Sequence, residues 1–416
     1  MAESVSPSAA KPAYRDLNIL RWLFAYTASV VGDSAFLLAL GWATSEVAGP
    51  SEVGLVVAVG AVPRAILMLG GGVVADRLGP RLVVISSDAV RCLVALVAVA
   101  FLLAAPLSLW MLIGVALVFG IVDALFMPAV GALPPLITRR DQLVRVQGMR
   151  ALAVRLGNTA GAPLAGMMMA FGGPIAAFTT VAGLFALSLL LLVFVRITPP
   201  APSVEATDSP VEPGMWRDLL DGLRYVHRRP VIRTIVITVT LVELGSVAPL
   251  NIGFLLLANE RGWGASGAGW IIGAAGVGAG ASALLLTILG MIPKAGPVYI
   301  ASLILGSVAV GFFALVPNLP TAVFLGGATG LMLGLNGGLA FAFIQADTNP
   351  AFLGRVMSLL SLASVGVGPL TYPVFGTAVA AAGMGSAFIA FAVIALLGAA
   401  FCLMTPTVRQ IELCSK

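Results

Sequence analysis

Long apolar runs, separated by short polar segments, make up most of the chain. A helix needs about 20 apolar residues to cross the hydrocarbon core of a bilayer. Because the runs reach this length, the pattern predicts membrane-spanning helices rather than a soluble core. The predicted spans, about twelve in number, cover residues 18–46, 51–75, 80–104, 107–134, 144–171, 174–196, 231–258, 265–290, 295–316, 320–346, 353–381 and 384–405.

One longer polar stretch, Thr198 to Arg229, follows the sixth span. Its first part is rich in proline and acid, which is typical of a flexible linker. Its second part predicts an amphipathic helix on the inner leaflet. The apolar face of that helix holds Trp216, Leu219, Leu220, Leu223 and Val226. The predicted units are an N-terminal segment, 1–17; a first six-helix bundle, 18–197; the linker, 198–230; a second six-helix bundle, 231–405; and a tail, 406–416.

Composition supports a membrane protein with an all-α fold. Only 10% of the residues are charged and the mean hydropathy is +1.05, whereas soluble domains carry about 25% charged residues. The basic residues recur in the segments predicted to lie inside, and the outer loops carry Arg261 alone. We expect a multi-pass protein of a bacterial-type inner membrane. By the positive-inside rule both of its termini are expected on the cytoplasmic side. Since these cations form no single patch, no nucleic-acid partner is expected.

Residues that would support enzymatic chemistry are scarce. The chain has one histidine, His227, and three cysteines without metal-ligand or disulfide spacing, which argues against a histidine-based triad or a metal cluster. Glycine-rich runs such as 273–280 lie inside apolar spans and lack a Walker lysine, so we expect no ATPase. We therefore expect neither an enzyme nor a cofactor.

The two halves of the chain are related by a shift of 210 positions. The shift superimposes a basic loop, a proline–glycine segment and a membrane-buried acid, since Arg145, Pro163, Gly173 and Asp33 fall on Arg355, Pro373, Gly383 and Glu243. Duplicated bundles of this kind are typical of secondary transporters, whose substrate site lies near the midplane between the repeats.

The stretch from Gly70 to Arg81, between spans two and three, predicts a short charged turn at the membrane surface. Within it, Gly72-Val-Val-Ala-Asp76-Arg77-Leu-Gly79-Pro-Arg81 resembles the signature Gly-x-Leu-Ala-Asp-Arg-x-Gly-Arg-Arg/Lys of the major facilitator superfamily. The series of six spans, a linker and six spans also resembles that superfamily. Gly32-Asp33 and Phe126-Met-Pro128-Ala129 are similar to its drug- and siderophore-exporting branch, which includes macrolide and enterobactin exporters. The resemblance implies twelve helices in two pseudo-symmetric bundles.

The resemblance also implies a cytoplasmic gate built from Gly72, Asp76, Arg77, Gly79 and Arg81. Asp76 is expected to face the start of span eleven, near 353–354, where free backbone N–H groups favour an anion. Arg77 and Arg81 are expected to pair with acids such as Asp88 or Asp141. Asp88 and Arg91, one helical turn apart, would support this gate. The alternative is that these charges only fix the topology.

Span five carries a second motif, made of Gly157, Gly161, Pro163 and Gly166. It looks like the exporters' Gly-x-x-x-Gly-Pro-x-x-Gly motif with an additional residue, Ala162, before the proline. The resemblance favours export by antiport.

Six polar or charged residues at predicted membrane depth are candidates for coupling: Asp33, Glu243, Asp123, Arg64, Arg155 and Asn158. An ionisable group there costs about 2.5–3.5 kcal/mol on insertion scales, so a functional role is the first interpretation. We expect Asp33 and Glu243 to be cavity carboxylates, at least one of which binds the proton. The two arginines would keep nearby acids ionised, Asp123 among them. The alternative is static ion pairs that lock helices together.

Together these features predict a transporter that works by alternating access. The favoured function is proton-coupled export of amphipathic small molecules such as drugs or antibiotics. The alternatives are a proton-coupled importer of a small nutrient and a non-transporting receptor or scaffold. The expected partners are a small-molecule substrate, protons and the lipid bilayer, and the expected state is a monomer.

Overall fold

The computed structural model describes residues 13–138, 142–196, 223–289 and 294–409, apart from a few side chains within helices. Within these described ranges twelve long helices follow the predicted spans closely, so the all-helical fold class is confirmed. They are α1 (Leu17–Val47), α2 (Pro50–Leu78), α3 (Pro80–Ala104), α4 (Leu109–Ala132), α5 and α6 (the two parts of Leu143–Val193), α7 (Pro230–Glu260), α8 (Gly264–Leu289), α9 (Ala295–Phe312), α10 (Leu319–Asp347), α11 (Pro350–Ala382) and α12 (Met384–Leu403).

The border between α5 and α6 is a glycine pair inside one continuous helical run. Gly172 and Gly173 leave helical geometry, with φ −146° and +63°, and Pro174 begins α6. Gly383 makes the equivalent turn before α12, with φ +84°. Both glycines with positive φ occupy equivalent places in the 210-residue repeat, and adding 210 also moves Leu109, the start of α4, onto Leu319, the start of α10. The two six-helix bundles are therefore structural repeats.

The predicted charged turn between spans two and three is much shorter than expected. Helix α2 continues through Leu78 and α3 begins at Pro80, so Gly79 alone separates them. Gly79 has φ +85°, a conformation that glycine adopts without a Cβ clash, and proline is well suited to a first helical position. The expectation of a turn over 70–81 was therefore wrong, because most of the motif is helical.

The apolar core is divided at one end of the bundle and shared by both halves at the other. At the end that holds the described termini, each half has a core of its own, around Trp22 in the first half and Tyr299 in the second. At the opposite end one core spans both halves, from Phe36 of α1 to Phe388 of α12. The described side chains therefore join the halves firmly at the end away from the termini.

Glycines allow the two halves to approach closely at that end. Gly54 of α2 and Gly376 of α11 lie against the backbone of the other helix, at Tyr372 and Pro50. A Cβ at Gly269 of α8 would lie only 2.7 Å from the carbonyl oxygen of Ala162 on α5. Small residues at helix contacts let backbones pack without lipid between them. The contacts α2–α11 and α5–α8 thus join the two halves at this end.

The described part of the linker is the helical segment 223–228. Its Tyr225 stacks on Phe352 of α11 with ring centres 4.4 Å apart, and the Tyr225 hydroxyl accepts a hydrogen bond from the Asn349 N–H at 3.0 Å. Val226 is buried in the core of the second half. Of the predicted amphipathic helix, Trp216, Leu219 and Leu220 lie outside the described residues. The described end packs on protein through Val226 and Tyr225.

Candidate functional site

Five charged side chains from four helices meet inside the first bundle, and we call them the charge cluster: Asp33 (α1), Arg64 (α2), Asp88 and Arg91 (α3) and Asp123 (α4). Arg91 lies at its centre and is fully buried. Its Nη2 donates to Asp123 Oδ1 at 2.6 Å, and its Nη1 lies 3.3 Å from Asp33 Oδ1. One guanidinium therefore contacts carboxylates on α1, α3 and α4.

Arg64 is the second cation of the cluster. Its Nε lies 2.9 Å from Asp123 Oδ2, although the N–H is not aligned on that oxygen, so the contact is an ion pair rather than a hydrogen bond. Its side chain is 41% exposed and lines the cavity between the halves. Asp123 thus joins the buried Arg91 to the accessible Arg64.

Aromatic rings surround the central guanidinium. The Cζ atom of Arg91 lies 4.1 Å from the ring centre of Phe126, 5.4 Å from that of Phe119 and 5.5 Å from that of Phe185. Ring faces attract a cation, and they also exclude water, which strengthens the ion pairs. The rings therefore favour a permanently charged Arg91 at this depth.

Both carboxylate oxygens of Asp88 accept hydrogen bonds from serine hydroxyl groups. Ser29 donates to Oδ1 at 3.1 Å and Ser188 donates to Oδ2 at 2.5 Å, while Arg91 Nη1 lies 3.6 Å from Oδ1. The carboxylate is fully buried. A carboxylate with this many partners is suited to a fixed structural role.

The expected place of Asp88 and Arg91 in the gate was wrong. At a rise of about 1.5 Å per residue they lie about 12 Å and about 16 Å along α3 from Pro80, too deep to face a surface turn. The Nη2 of Arg81 donates instead to the carbonyl oxygen of Val193 at 2.9 Å. Arg77 is exposed. The surroundings of Gly72, the side chain of Asp76 and all of Asp141 lie outside what the structure describes, so the contact of Asp76 with α11 stays a prediction.

A cavity of about 580 Å³ lies between the halves, and α1, α2, α4, α5, α7, α8 and α10 line it. Asp33 is the carboxylate of the charge cluster that opens into it, with 29% of its side chain exposed, whereas Asp88 and Asp123 are 0% and 7% exposed. Drug-sized ligands occupy pockets of about 300–1,000 Å³. The cavity therefore has the size for a small-molecule substrate.

Arg155 and Asn158 of α5 also line this cavity, as predicted for cavity residues. Among the described residues no carboxylate lies within 4 Å of Arg155. It therefore does not hold an acid in the way we expected, and its guanidinium is exposed. The backbone oxygen of Asn158 accepts a hydrogen bond from Ser34 at 3.4 Å, which ties α5 to α1.

Glu243 does not join the charge cluster. It lies on α7 in a second pocket of about 290 Å³, formed mainly with α10. Its Oε1 accepts a hydrogen bond from Ser364 of α11 at 3.4 Å. Leu250, Asn251 and Leu333 line both this pocket and the central cavity, so the two spaces adjoin. The repeat partners Asp33 and Glu243 thus face separate spaces, the first in the cavity between the halves and the second in a pocket of the second half.

The span-five motif sets the packing of α5. A Cβ at Gly157 would meet Val30 at 2.6 Å, and one at Gly161 would meet Ser34 at 2.6 Å, so both glycines bring α5 close to α1. Pro163 and Gly166 lie on the side of α5 that meets α8. The motif therefore positions the cavity-lining residues Arg155 and Asn158 between the halves.

The sequence interpretation missed several neutral polar residues. Ser29 and Ser188 hold Asp88, and Asn251 and Asn336 line the pocket of Glu243. Each asparagine interrupts an apolar run, which is a signal that could have identified it. The serines carry no such signal, because hydroxyl groups are common in membrane helices.

The described geometry, a duplicated helical bundle around a central cavity, agrees with a comparison of the sequence with protein families. Residues 22–254, more than half of the chain, match the model of the Major Facilitator Superfamily. The chain belongs to this superfamily. It is therefore a multi-pass membrane transporter of small molecules and not an enzyme, which confirms the resemblance found in the motifs.

Relatives of this transporter include two from the drug and siderophore branch. The multidrug efflux pump Tap of Mycolicibacterium fortuitum is 26% identical over 422 residues, which cover 96% of this chain and 98% of Tap. The enterobactin exporter EntS of Escherichia coli O81 is 25% identical over 322 residues, which cover 76% of this chain and 73% of EntS.

Solved structures share the fold at lower identity. A bacterial homolog of the human lysosomal transporter Spinster, inward-facing and occupied, matches with a TM-score of 0.74 at 14% identity, covering 96% of this chain and 98% of that one. The nucleoside transporter NupG matches with a TM-score of 0.65 at 15% identity, covering 95% and 100%. These matches establish the fold alone.

Proposed function

We propose that this transporter exports amphipathic small molecules in exchange for protons, with Asp33 as the proton-binding residue. The observation that carries the proposal is the geometry of Asp33. It is the open carboxylate of a buried charge cluster, beside Arg91 and facing a cavity that both halves line.

The charge balance of the cluster supports a proton site. Three carboxylates and two guanidinium groups leave one negative charge when all are ionised. An uncompensated charge in a poorly solvated site is costly, so one proton restores neutrality. Asp33 is the accessible acceptor, since Asp88 and Asp123 are occupied by their hydrogen bonds.

Proton binding at Asp33 would also change a contact between helices. The ionised carboxylate attracts Arg91 at 3.3 Å and so ties α1 to α3. Protonated Asp33, which is neutral, attracts Arg91 far less. A ligand can shift a conformational equilibrium only through such a difference between states. The Asp33–Arg91 pair therefore provides a route from proton occupancy to the arrangement of the cavity.

The direction of transport rests on the relatives and on the motifs. Tap and EntS are an efflux pump and an exporter, and the span-five motif resembles that of exporters. Import is the second candidate, because NupG, a nucleoside transporter, shares the fold.

With the termini in the cytoplasm, as the basic residues predict, the halves are joined at the outer end. A single chain forms the whole cavity, consistent with a working monomer.

Uptake of a fluorescent dye into inverted membrane vesicles under an imposed pH gradient tests this function. We expect proton-driven dye uptake by the wild type and none by Asp33→Asn, since the amide cannot bind and release the proton. Asp347→Asn, the same change at an exposed helix end, serves as the control and should transport normally. Unchanged uptake by Asp33→Asn would contradict the assignment, and dye movement in the opposite direction would favour import.

A further inference from the structure

The second half contains a pocket that includes Glu243 and is separate from the charge cluster. It is a separate space of about 290 Å³ lined by Glu243, Ser246, Asn251 and Asn336 together with apolar residues of α7 and α10. Its volume lies at the lower end of the range for ligand pockets, about 300–1,000 Å³. It can hold one end of a molecule whose remainder lies in the adjoining central cavity.

Glu243 has no cationic partner in the part of the chain that the structure describes. Its one hydrogen bond there comes from the Ser364 hydroxyl, at a long 3.4 Å. Each acid of the charge cluster, in contrast, lies within 4 Å of a guanidinium group. A carboxylate at membrane depth without a counter-ion is costly. The second half therefore presents an unpaired anionic group to its pocket.

Asn336 provides a second, independent observation. Its side chain lines the same pocket, the residue is only 3% exposed, and among the described residues its amide has no hydrogen-bond partner. The amide atoms are not sealed inside the protein, so they face the space of the pocket. The neighbouring Gly337 borders open space. The Asn336 amide and the Glu243 carboxylate thus line the same pocket.

Helix α7 changes its winding at the edge of this pocket. Residues Pro249–Gly253 form a π-helical segment, a feature that is frequent at functional sites. Within it, Leu250 and Asn251 line both the pocket and the central cavity. The Asn251 Nδ2 donates to the Val247 carbonyl oxygen at 2.8 Å, which fixes the side chain at this border. The π segment therefore lies where a bound molecule would pass from one space into the other.

We propose that this pocket is a subsite for the protonated amine of an amphipathic substrate. Glu243 supplies the opposite charge, and the Asn336 amide oxygen accepts an ammonium N–H. The apolar body of the substrate then extends past Leu250 and Leu333 into the central cavity. The inference deepens the proposed function, because it names the substrate class and leaves Asp33 free for the proton. Substrate cation and proton are thus bound in opposite halves.

Equilibrium binding to the purified protein tests the subsite without any pH gradient. The probes are N-dansylcadaverine, an amphipathic primary amine that is charged at neutral pH, and its neutral N-acetyl derivative, both followed by dansyl fluorescence. We expect Glu243→Gln to weaken binding of the amine at least tenfold, since removing one partner of a poorly solvated ion pair leaves the other unpaired. Binding of the acetylated probe should stay unchanged.

Two further variants keep the result interpretable. Glu260→Gln makes the same chemical change at an exposed position of α7 and should bind both probes as the wild type does. The double variant Glu243→Gln with Asn336→Asp moves the carboxylate across the pocket to α10 and should restore amine binding. Unchanged binding of the acetylated probe by Glu243→Gln shows that the single variant is folded.

The outcomes separate the subsite from the proposed function. Equal weakening of both probes, unchanged amine binding by Glu243→Gln, or no amine binding by the wild type would each overturn the subsite. If vesicles show no proton-driven transport while Glu243→Gln loses amine binding selectively, the proposed antiport fails and the subsite stands.

Discussion

At the scale of single residues, Arg91 organises the first bundle. Its guanidinium lies between three carboxylates and three aromatic rings, and no part of it reaches solvent. Each carboxylate alone would be destabilised at this depth, so the acids depend on Arg91 as much as it depends on them. The buried ion pairs hold α1, α3 and α4 in one arrangement.

Replacing Arg91 with methionine should destabilise the protein strongly. The substitution leaves Asp88 and Asp123 without their central cation, and removing one partner of a buried ion pair costs about 3–5 kcal/mol. Thermal unfolding in detergent should show a clearly lower melting temperature. Arg155→Met is the matched control, because among the described residues no acid lies within 4 Å of Arg155. Equal melting temperatures of the two variants would contradict the central role of Arg91.

Residue chemistry was only partly predictable from the sequence. A charge inside an apolar run is conspicuous, so Asp33, Arg64 and Asp123 were identified as charges at membrane depth. Their pairing was not predictable, because membrane helices are apolar on all sides and the pattern does not show which face points inward. Asp88 and Arg91 were placed in the gate because they follow its motif closely in sequence. Asn336 was missed because it carries no charge.

At the scale of elements, α5 is placed by its glycines. Gly157 and Gly161 bring it against α1, and Gly166 lies against the Ala265 carbonyl oxygen of α8. Helix α5 therefore touches both halves and carries two cavity-lining residues, Arg155 and Asn158, between them. A change at these glycines should disturb the cavity without touching a charged group.

Gly161→Leu should lower both stability and transport. Its side chain would collide with Ser34 and with the Val31 carbonyl oxygen, each 2.6 Å from the added Cβ. Overpacking of this kind costs about 1–3 kcal/mol. Thermal unfolding and dye uptake measure the two effects. Gly148→Leu, on the same helix where nothing lies within 4 Å of an added Cβ, should behave as the wild type. Normal transport by Gly161→Leu would show that the close α1–α5 contact is dispensable.

The helices themselves were well predicted, and their ends less so. Span length is set by bilayer thickness, which explains why twelve spans could be read from hydropathy. The motif at Gly70–Arg81 was expected to be a turn because it is charged and glycine-rich. In the structure its residues up to Leu78 continue α2, and only Gly79 turns the chain. The π segment of α7 has no signature in the apolar pattern.

At the scale of the whole molecule, the two repeats share an architecture and differ in charge. Asp33 and Glu243 occupy equivalent positions, yet the first is paired with the Arg91 guanidinium and the second faces a pocket without a described cation. The duplication was visible in the sequence at the 210-residue shift. The difference in charge between the halves was not visible in the sequence, because it depends on which side chains of neighbouring helices meet.

The joined end of the bundle fits one state of an alternating-access cycle. The described side chains form one core across both halves at the end away from the termini, and separate cores at the other end. The reverse state requires the α2–α11 and α5–α8 contacts to open. The predicted contact of Asp76 with the start of α11 would then close the other end.

The measurement that tests this account most directly is proton release on substrate binding. Ethidium, a cation without a proton that titrates near neutral pH, is added to the purified protein in weakly buffered solution, and the pH is followed with an indicator dye. The account predicts that bound ethidium displaces protons from the wild type and that Asp33→Asn releases none. Asp347→Asn should release as many protons as the wild type. Proton release that persists in Asp33→Asn, or is absent from the wild type, would contradict antiport through Asp33.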